Sequence, residues 1–336
     1  MPRLARLDAP GVMHHVIIRG IERRNIFRDH KDRNDMFDRL ANLLPATNTS
    51  CYAWTFLSNH AHFLLRSGGQ GLSTFMRRLL TGYAIRFNRR HSRHGQLFQN
   101  RYKSIICQED LYLKELVRYI HLNPLRAKIV SDMRGLNRHK YCGHSVLMGK
   151  KKCDWQETKY VLSYFGKGVL KGRGNYCAFV EEGLDQGRRP ELVGGGLIRS
   201  LGGWSEVKKL RLKGQDRMKG DERILGDGDF VMAIVAEANE RMDHRYELKS
   251  RGYTIEKLEQ RVLGLYQIER EELYSKSRQK VRSEARSVFC YWAVRELGVE
   301  GTHMAKRLKM SQPGVAYAIG SRGERVVKDN NYHMIE

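Results

Sequence analysis

The stretch SNHAHFLL, residues 58–65, sets a polar Ser-Asn pair before His60-Ala61-His62 and then turns apolar through Phe63, Leu64 and Leu65. Side chains alternate faces along a strand, so His60, His62 and Leu64 share one face, and Ala61, Phe63 and Leu65 the other. Two imidazoles about 7 Å apart on one face suit either a wet sheet surface or a metal pair. By itself His-x-His favours the wet surface. The choice turns on the rest of the chain.

From residue 11 to about 148, strand and helix signals alternate. VMHHVIIRG (12–20) is a β-branched run closed by Gly20. DRNDMFDRLANLL (32–44) spaces Met36, Phe37, Leu40, Leu43 and Leu44 as an amphipathic helix. YAWTFLSNHAHFLLRS (52–67) reads as a strand bent near Ser58-Asn59. GLSTFMRRLLTGYAIRFNRRH (71–91) is a helix burying Leu72, Phe75, Met76, Leu79, Tyr83 and Phe87, with Arg77, Arg78, Arg86, Arg89 and Arg90 on its other face. GQLFQNRYKSIICQ (95–108) leads from a loop into a strand. EDLYLKELVRYIHLN (109–123) is a helix expected to end close to Pro124, because the residue before proline is biased away from helical backbone.

The 336 residues suggest two domains, or a large one and a smaller one. A net charge of +24, from 61 Lys and Arg against 37 acids, implies a polyanionic partner, most commonly nucleic acid. A membrane surface competes, but neither a basic amphipathic helix nor a lipidation motif is evident. Charge alone leaves DNA and RNA both open. No apolar run approaches the roughly 18 residues of a membrane helix, and MPRLARLDAPG carries no export signal, so a cytoplasmic, nucleoid-associated protein is expected. Six scattered cysteines (51, 107, 142, 153, 177 and 290) are expected to be free thiols.

Residues 149–228 are rich in glycine and lysine, which reads as a poorly packed basic connector with one or two short helices such as ETKYVLSYF (157–165). From Asp229, a plausible N-cap, the pattern is helical to about 325, leaving 326–336 as a tail. TIEKLEQRVLGLY (254–266) starts at Thr254. QKVRSEARSVFCYWAVREL (279–297) offers Val281, Ala285, Val288, Phe289, Trp292 and Leu297 to a core. GTHMAKRLKMSQPGVAYAIGSRGE (301–324) gives two short helices with Thr302 and Ser311 as N-caps and Pro313 in a first turn, the layout of a helix-turn-helix or of a plain bundle.

RYIHLNP (118–124) carries the chemistry. Tyr119 and Asn123 are four apart, hence stacked on one helical face. In a basic chain these are the parts for phosphodiester cleavage: a cation held by His60 and His62, with or without Asn123, would polarise a phosphate, and the phenol of Tyr119 would attack phosphorus. Tyrosine's usual pKa of about 10 means that this nucleophile needs a nearby cation.

These residues resemble the HUH single-tyrosine transposases, the insertion-sequence type and especially the REP-associated tyrosine transposases. The resemblance covers roughly residues 1–148 and rests on PGVMHHVIIRG, NHAHFLL, LLTGYAIRFNRRHSRHGQLFQNRYKS and YLKELVRYIHLNPLRAKIV in family order. Ser58 departs from it, since a proline commonly precedes the Asn-His pair. The resemblance implies an α+β, ferredoxin-like domain with an antiparallel sheet, with His60, His62 and Asn123 as ligands of Mg²⁺ or Mn²⁺ and Tyr119 as nucleophile. It further implies cleavage of single-stranded or hairpin DNA to a 5′-phosphotyrosine and a free 3′-OH. Two imidazoles and an amide favour Mn²⁺ on softness. One tyrosine per chain makes strand exchange easier in a homodimer. Arg77, Arg78, Arg86, Arg89, Arg90, Arg101 and Lys103 are then expected along a DNA backbone, and Tyr102 suits either base stacking or the core.

Residues 229–325 are similar to the DNA-binding end of the replication initiator DnaA, through RSEARSVFCYWAVREL and THMAKRLKMSQPGVAYAI. Gln312, Tyr317 and Arg322 are the candidate DNA contacts. A domesticated, non-catalytic DNA-binding regulator is the alternative, and retention of His60, His62 and Tyr119 together speaks against it.

Overall fold

A computed structural model of the chain describes residues 11–69, 71–187, 223–275 and 279–334, with positions 7, 189, 192, 221 and 277; at 237–246, 249, 320 and 321 only the backbone is described. Two compact units result, Met1–Ala236 and Glu237–Glu336.

The first unit is built on strands β1 (Met13–Arg19), β2 (Ser50–Phe56), β3 (His60–Arg66), β4 (Lys103–Cys107) and β5 (Ile224–Leu225), in the order β2-β3-β1-β4-β5. Helix α1 (His30–Ala46) joins β1 to β2, and α2 (Leu72–Arg90) joins β3 to β4. With β1 antiparallel to both β3 and β4, and β2 antiparallel to β3, the first four strands have the expected ferredoxin-like β-α-β-β-α-β topology. The parallel fifth strand was not foreseen.

Residues 52–67 form two strands rather than one bent strand. Ser58-Asn59 is the two-residue hairpin turn, closed by Leu57 N–H donating to His60 O at 2.9 Å. The turn's carbonyls hold the segment after β1: Ser58 O accepts from Ile26 and Phe27, and Asn59 O from Gly20. Position 58 supplies a carbonyl, which serine and proline share, so the departure at Ser58 leaves these bonds intact.

Alternation divides the core. Val16, Ile18, Ala61, Phe63 and Leu65 face α1 and α2, against Met36, Leu40, Phe75, Leu79, Tyr83 and Phe87. Met13, Leu64, Ile105 and Cys107 face the other way, onto Leu113, Leu116, Val117 and Ile120 of α3 (Glu109–Arg126). His60 and His62 therefore lie on the α3 side of the sheet.

Two expectations fail here. Helix α3 does not stop at Pro124 but runs through it to Arg126. Proline removes the N–H that would bond Ile120 O, and the Asn123 side chain replaces it: Nδ2 donates to Ile120 O at 3.3 Å and to Tyr119 O at 2.9 Å.

Residues 149–187 are not a loose connector either. After α4 (Met133–Arg138) and α5 (Gly143–Leu147), helices α6 (Thr158–Ser163) and α7 (Val169–Glu181) bury Val161, Leu162, Tyr176 and Val180 in the α3-side core. Gln156 is the polar anchor of this segment. Its Oε1 accepts from Trp54 Nε1 at 2.8 Å, and its Nε2 donates to Tyr52 O and Gly143 O. Gly143 is required, because a Cβ there would come within 2.8 Å of His121 Nε2 and of Gln156 Oε1. The rest of the expected connector, residues 188–228, lies mostly outside the described residues.

Helix α8 (Gly228–Ser250) begins one residue before the expected cap. Asp227, not Asp229, accepts from Phe230 N–H, at 2.9 Å. The second unit contains α9 (Ile255–Tyr266), capped by Thr254, then α10 (Arg270–Tyr274) and α11 (Lys280–Arg295). Helices α12 (Gly301–Arg307) and α13 (Gln312–Tyr317) follow, and a π turn, Ala318–Arg322, leads into α14 (Gly323–Asp329). Leu258, Val262, Phe289, Trp292, Met304, Leu308 and Val315 share its core. Ser311 caps α13 through Gly314 N–H. Thr302 is not a cap but lies inside α12, with its hydroxyl on Glu300. Val281 is exposed, because the buried stripe of α11 starts at Ala285. All six cysteines are free, and all but Cys177 are buried. Among the described residues no helix is long and apolar enough to cross a membrane.

Two measurements test these assignments. Gln156→Ala leaves Trp54 N–H and two carbonyls buried without partners, and should lower stability by about 3 kcal/mol in denaturant titrations; a loss near zero would show that residues 149–187 are dispensable. Burial holds His15 and His144 at about 4 and pushes His62 and His121 well below their usual 6.5. The unfolded chain then binds more protons, so stability should fall as pH drops from about 6.5 toward 4. Thermal melts at pH 7.5 and 5.5 should show the lower midpoint at pH 5.5, and equal midpoints would contradict the burial of these groups.

Candidate active site

Strand β3 presents His60 and His62 on the α3 face, with ring centroids 5.2 Å apart. The ladder sets Arg19 opposite His60 and Ile17 opposite His62, so His15, two residues along β1, lies on the same face. There His15 stacks on His62 at 5.3 Å, and the Tyr119 ring meets both edge-on, 5.8 Å from His15 and 5.9 Å from His62. His15 is the residue that sequence reading missed. Its signal was present in MHH at the head of β1, but only the strand register shows which of the two histidines faces the pair.

The hydrogen bonds fix the tautomers. Leu192 O can only accept, so His15 Nδ1–H donates to it at 3.0 Å. His15 Nε2 is then a lone pair, and it accepts from His62 Nδ1–H at 3.0 Å. Asn59 Nδ2 donates to Arg23 O, which turns Asn59 Oδ1 toward His60 Nδ1 at 2.6 Å, and that nitrogen carries the other proton. Both His60 and His62 are left with Nε2 as the lone-pair nitrogen, the form that binds a metal. Burial, and after it Arg19, lowers His60 to about 4; burial dominates at His62, with His15, His60 and Arg19 pushing the same way. Asn123, one turn beyond Tyr119 and buried, uses Nδ2 within its own helix, so Oδ1 is the atom it could offer to a metal. Two neutral imidazole nitrogens and an amide oxygen form a donor set that fits a divalent first-row ion.

A second group brings three ligand-type side chains within 4.8 Å of one another: Asp29, Asp32 and His91, on the α1–α2 side of the sheet. It ties the helices together. Asp29 caps α1, and buried Asp32 pairs with Arg90 and with His91 and accepts from Arg28 N–H.

The expected DNA contacts divide. Arg77, Arg89 and Arg101 are exposed, and none has an ion-pair partner among the described residues; Arg78 is half-buried. Arg86 is paired with Asp35 and Arg90 with Asp32, so both anchor α2 to α1. The arginines of α2 lie in the helical layer on the far side of the sheet from Tyr119. Lys103 stands opposite Ile17 on the site face. Tyr102 is half-buried against the α1–α2 core. In the second unit Gln312 and Tyr317 are exposed, and Arg322 donates to Ser283 Oγ at 2.6 Å.

Comparison with known proteins assigns the segment that holds these residues. Residues 9–123 match the family described as Transposase IS200 like. A solved structure described as the REP-associated tyrosine transposase bound to a REP hairpin is similar over 47% of this chain and 98% of its own, at 13% identity and a TM-score of 0.37. No curated protein matches the chain.

Replacing His15 by Phe removes the acceptor of His62 Nδ1–H and frees the wrong tautomer. Mn²⁺ affinity, measured by calorimetry, should fall about 10- to 100-fold; an unchanged affinity would mean that His15 only fills space.

Proposed function

We propose that the chain is a tyrosine transposase that nicks and rejoins single-stranded DNA at hairpins, with Tyr119 as nucleophile. The observation that carries this reading is the packing of the Tyr119 ring against His62 and His15, beside a pair of imidazoles whose Nε2 atoms are unprotonated.

The phenol oxygen of Tyr119 attacks phosphorus and its proton leaves to solvent. The P–O3′ bond breaks, and the departing 3′ oxygen takes up a proton to become a free hydroxyl. Rejoining is the reverse attack by a 3′-OH, which releases Tyr119. His60, His62 and Asn123 would hold Mg²⁺ or Mn²⁺, which when bound polarises the phosphate. The net charge of +24 favours a polyanion, and exposed Arg77, Arg89 and Arg101 suit contacts with its backbone. In the second unit, Gln312 and Tyr317 at the start and end of α13 suit docking of duplex or hairpin DNA. A homodimer would supply two tyrosines to a two-strand exchange.

Incubation with a hairpin library and Mn²⁺ should give a covalent protein–DNA adduct on a denaturing gel, lost in Tyr119→Phe. No adduct from the parent protein, or an adduct persisting in the variant, would overturn the reading. His60→Ala should abolish cleavage and leave hairpin affinity within about tenfold, because phosphate contacts supply most of the binding.

A further inference from the structure

Arg126 closes α3, seven residues after Tyr119 and therefore on the same helical face. Its guanidinium carbon lies 5.1 Å from the centre of the Tyr119 ring. Two of its nitrogens, Nε and Nη1, are buried and have no hydrogen-bond partner among the described residues. The charges around it deepen the imbalance. Arg118 and Arg189 flank it, and both are paired with one carboxylate, Glu115. Among the described residues, Glu115 pairs with Arg118 and Arg189 and makes no ion pair with Arg126.

A guanidinium that keeps its charge in a half-buried place, with two N–H groups unspent, fits an anion that arrives with the substrate. A phosphodiester matches it, since its non-bridging oxygens accept charge-assisted hydrogen bonds from guanidinium N–H groups. We propose that Arg126 is a catalytic residue: it grips the non-bridging oxygens of the phosphate that Tyr119 attacks, and its charge over the ring stabilises the phenol oxygen as it loses or regains negative charge. The proposal rests on the reading of Tyr119 as nucleophile. It adds no bond to that reaction; Arg126 stays protonated and acts on charge that develops on the phosphate and the phenol in both directions.

The test uses the full chain, Mn²⁺ and the hairpin library. Arg126→Ala should slow adduct formation about 100-fold, with library affinity within about threefold of the parent. Millimolar guanidinium ion should restore a measurable part of the lost rate, which a packing defect would not allow. Arg126→Lys, which keeps the charge but not the fork, should fall between the two. Adduct formation by Arg126→Ala at the parental rate overturns the proposal while leaving Tyr119 in place. A slow Arg126→Ala variant that guanidinium does not rescue, with Arg126→Lys equally slow, reassigns Arg126 to structure. Failure of the parent protein to form an adduct overturns the Tyr119 reading, and this proposal with it.

Discussion

The site depends on one side-chain amide. Pro124 sits in the third-last position of α3, where its missing N–H strands the carbonyl of Ile120 in the core. An unpaired buried carbonyl costs about 1–3 kcal/mol, enough to end a helix there. Asn123 Nδ2 supplies the missing donor, bridging Ile120 O and Tyr119 O. The helix then continues for two more residues, which brings Arg126 onto the face that carries Tyr119. The same bonds orient Asn123 itself, since an amide whose nitrogen is fixed to the helix has only its oxygen left for other work.

Behind that face, burial and hydrogen bonding act together on the imidazoles. Desolvation is the largest influence on His15, His60 and His62, and it favours the neutral ring at each. The hydrogen bonds then decide which nitrogen is bare. The order runs from the Leu192 carbonyl through His15 to His62, so a residue well beyond the matched family segment sets the tautomer of one within it. Arg19 and Lys103 reinforce the neutral state, because each cation on that face raises the cost of a further positive charge.

Much of this was legible in the sequence. Period-two alternation in HAHFLL put His60 and His62 on one face, and the four-residue spacing of Tyr119 and Asn123 put them on one helical stripe. The buried face of α2 matched its periodicity residue by residue. What escaped notice needed information that no local window holds. His15 became visible only through the β1–β3 register. Arg126 was lost because a proline was read as a stop when a neighbouring side chain had cancelled its effect. In residues 149–187, glycine and lysine content hid Val161, Leu162, Tyr176 and Val180, whose burial depends on α3 and β2, far away in sequence, as well as on each other.

The basic charge also divides by distance. Arg86 and Arg90 face a different core from Tyr119, with a sheet between them, and each is paired to a carboxylate of α1. A layer of structure is about 10 Å thick, close to the screening length at physiological salt, roughly 8 Å. Charges on the α2 side are therefore felt weakly at the phenol of Tyr119, and they suit capture and tracking of a polyanion. Arg19, Lys103 and Arg126 lie on the near side, the first two exposed and Arg126 half-buried against the Tyr119 ring. Under the proposed function, few of the chain's 61 basic residues are left to the chemistry. Position relative to the sheet separates those few from the rest.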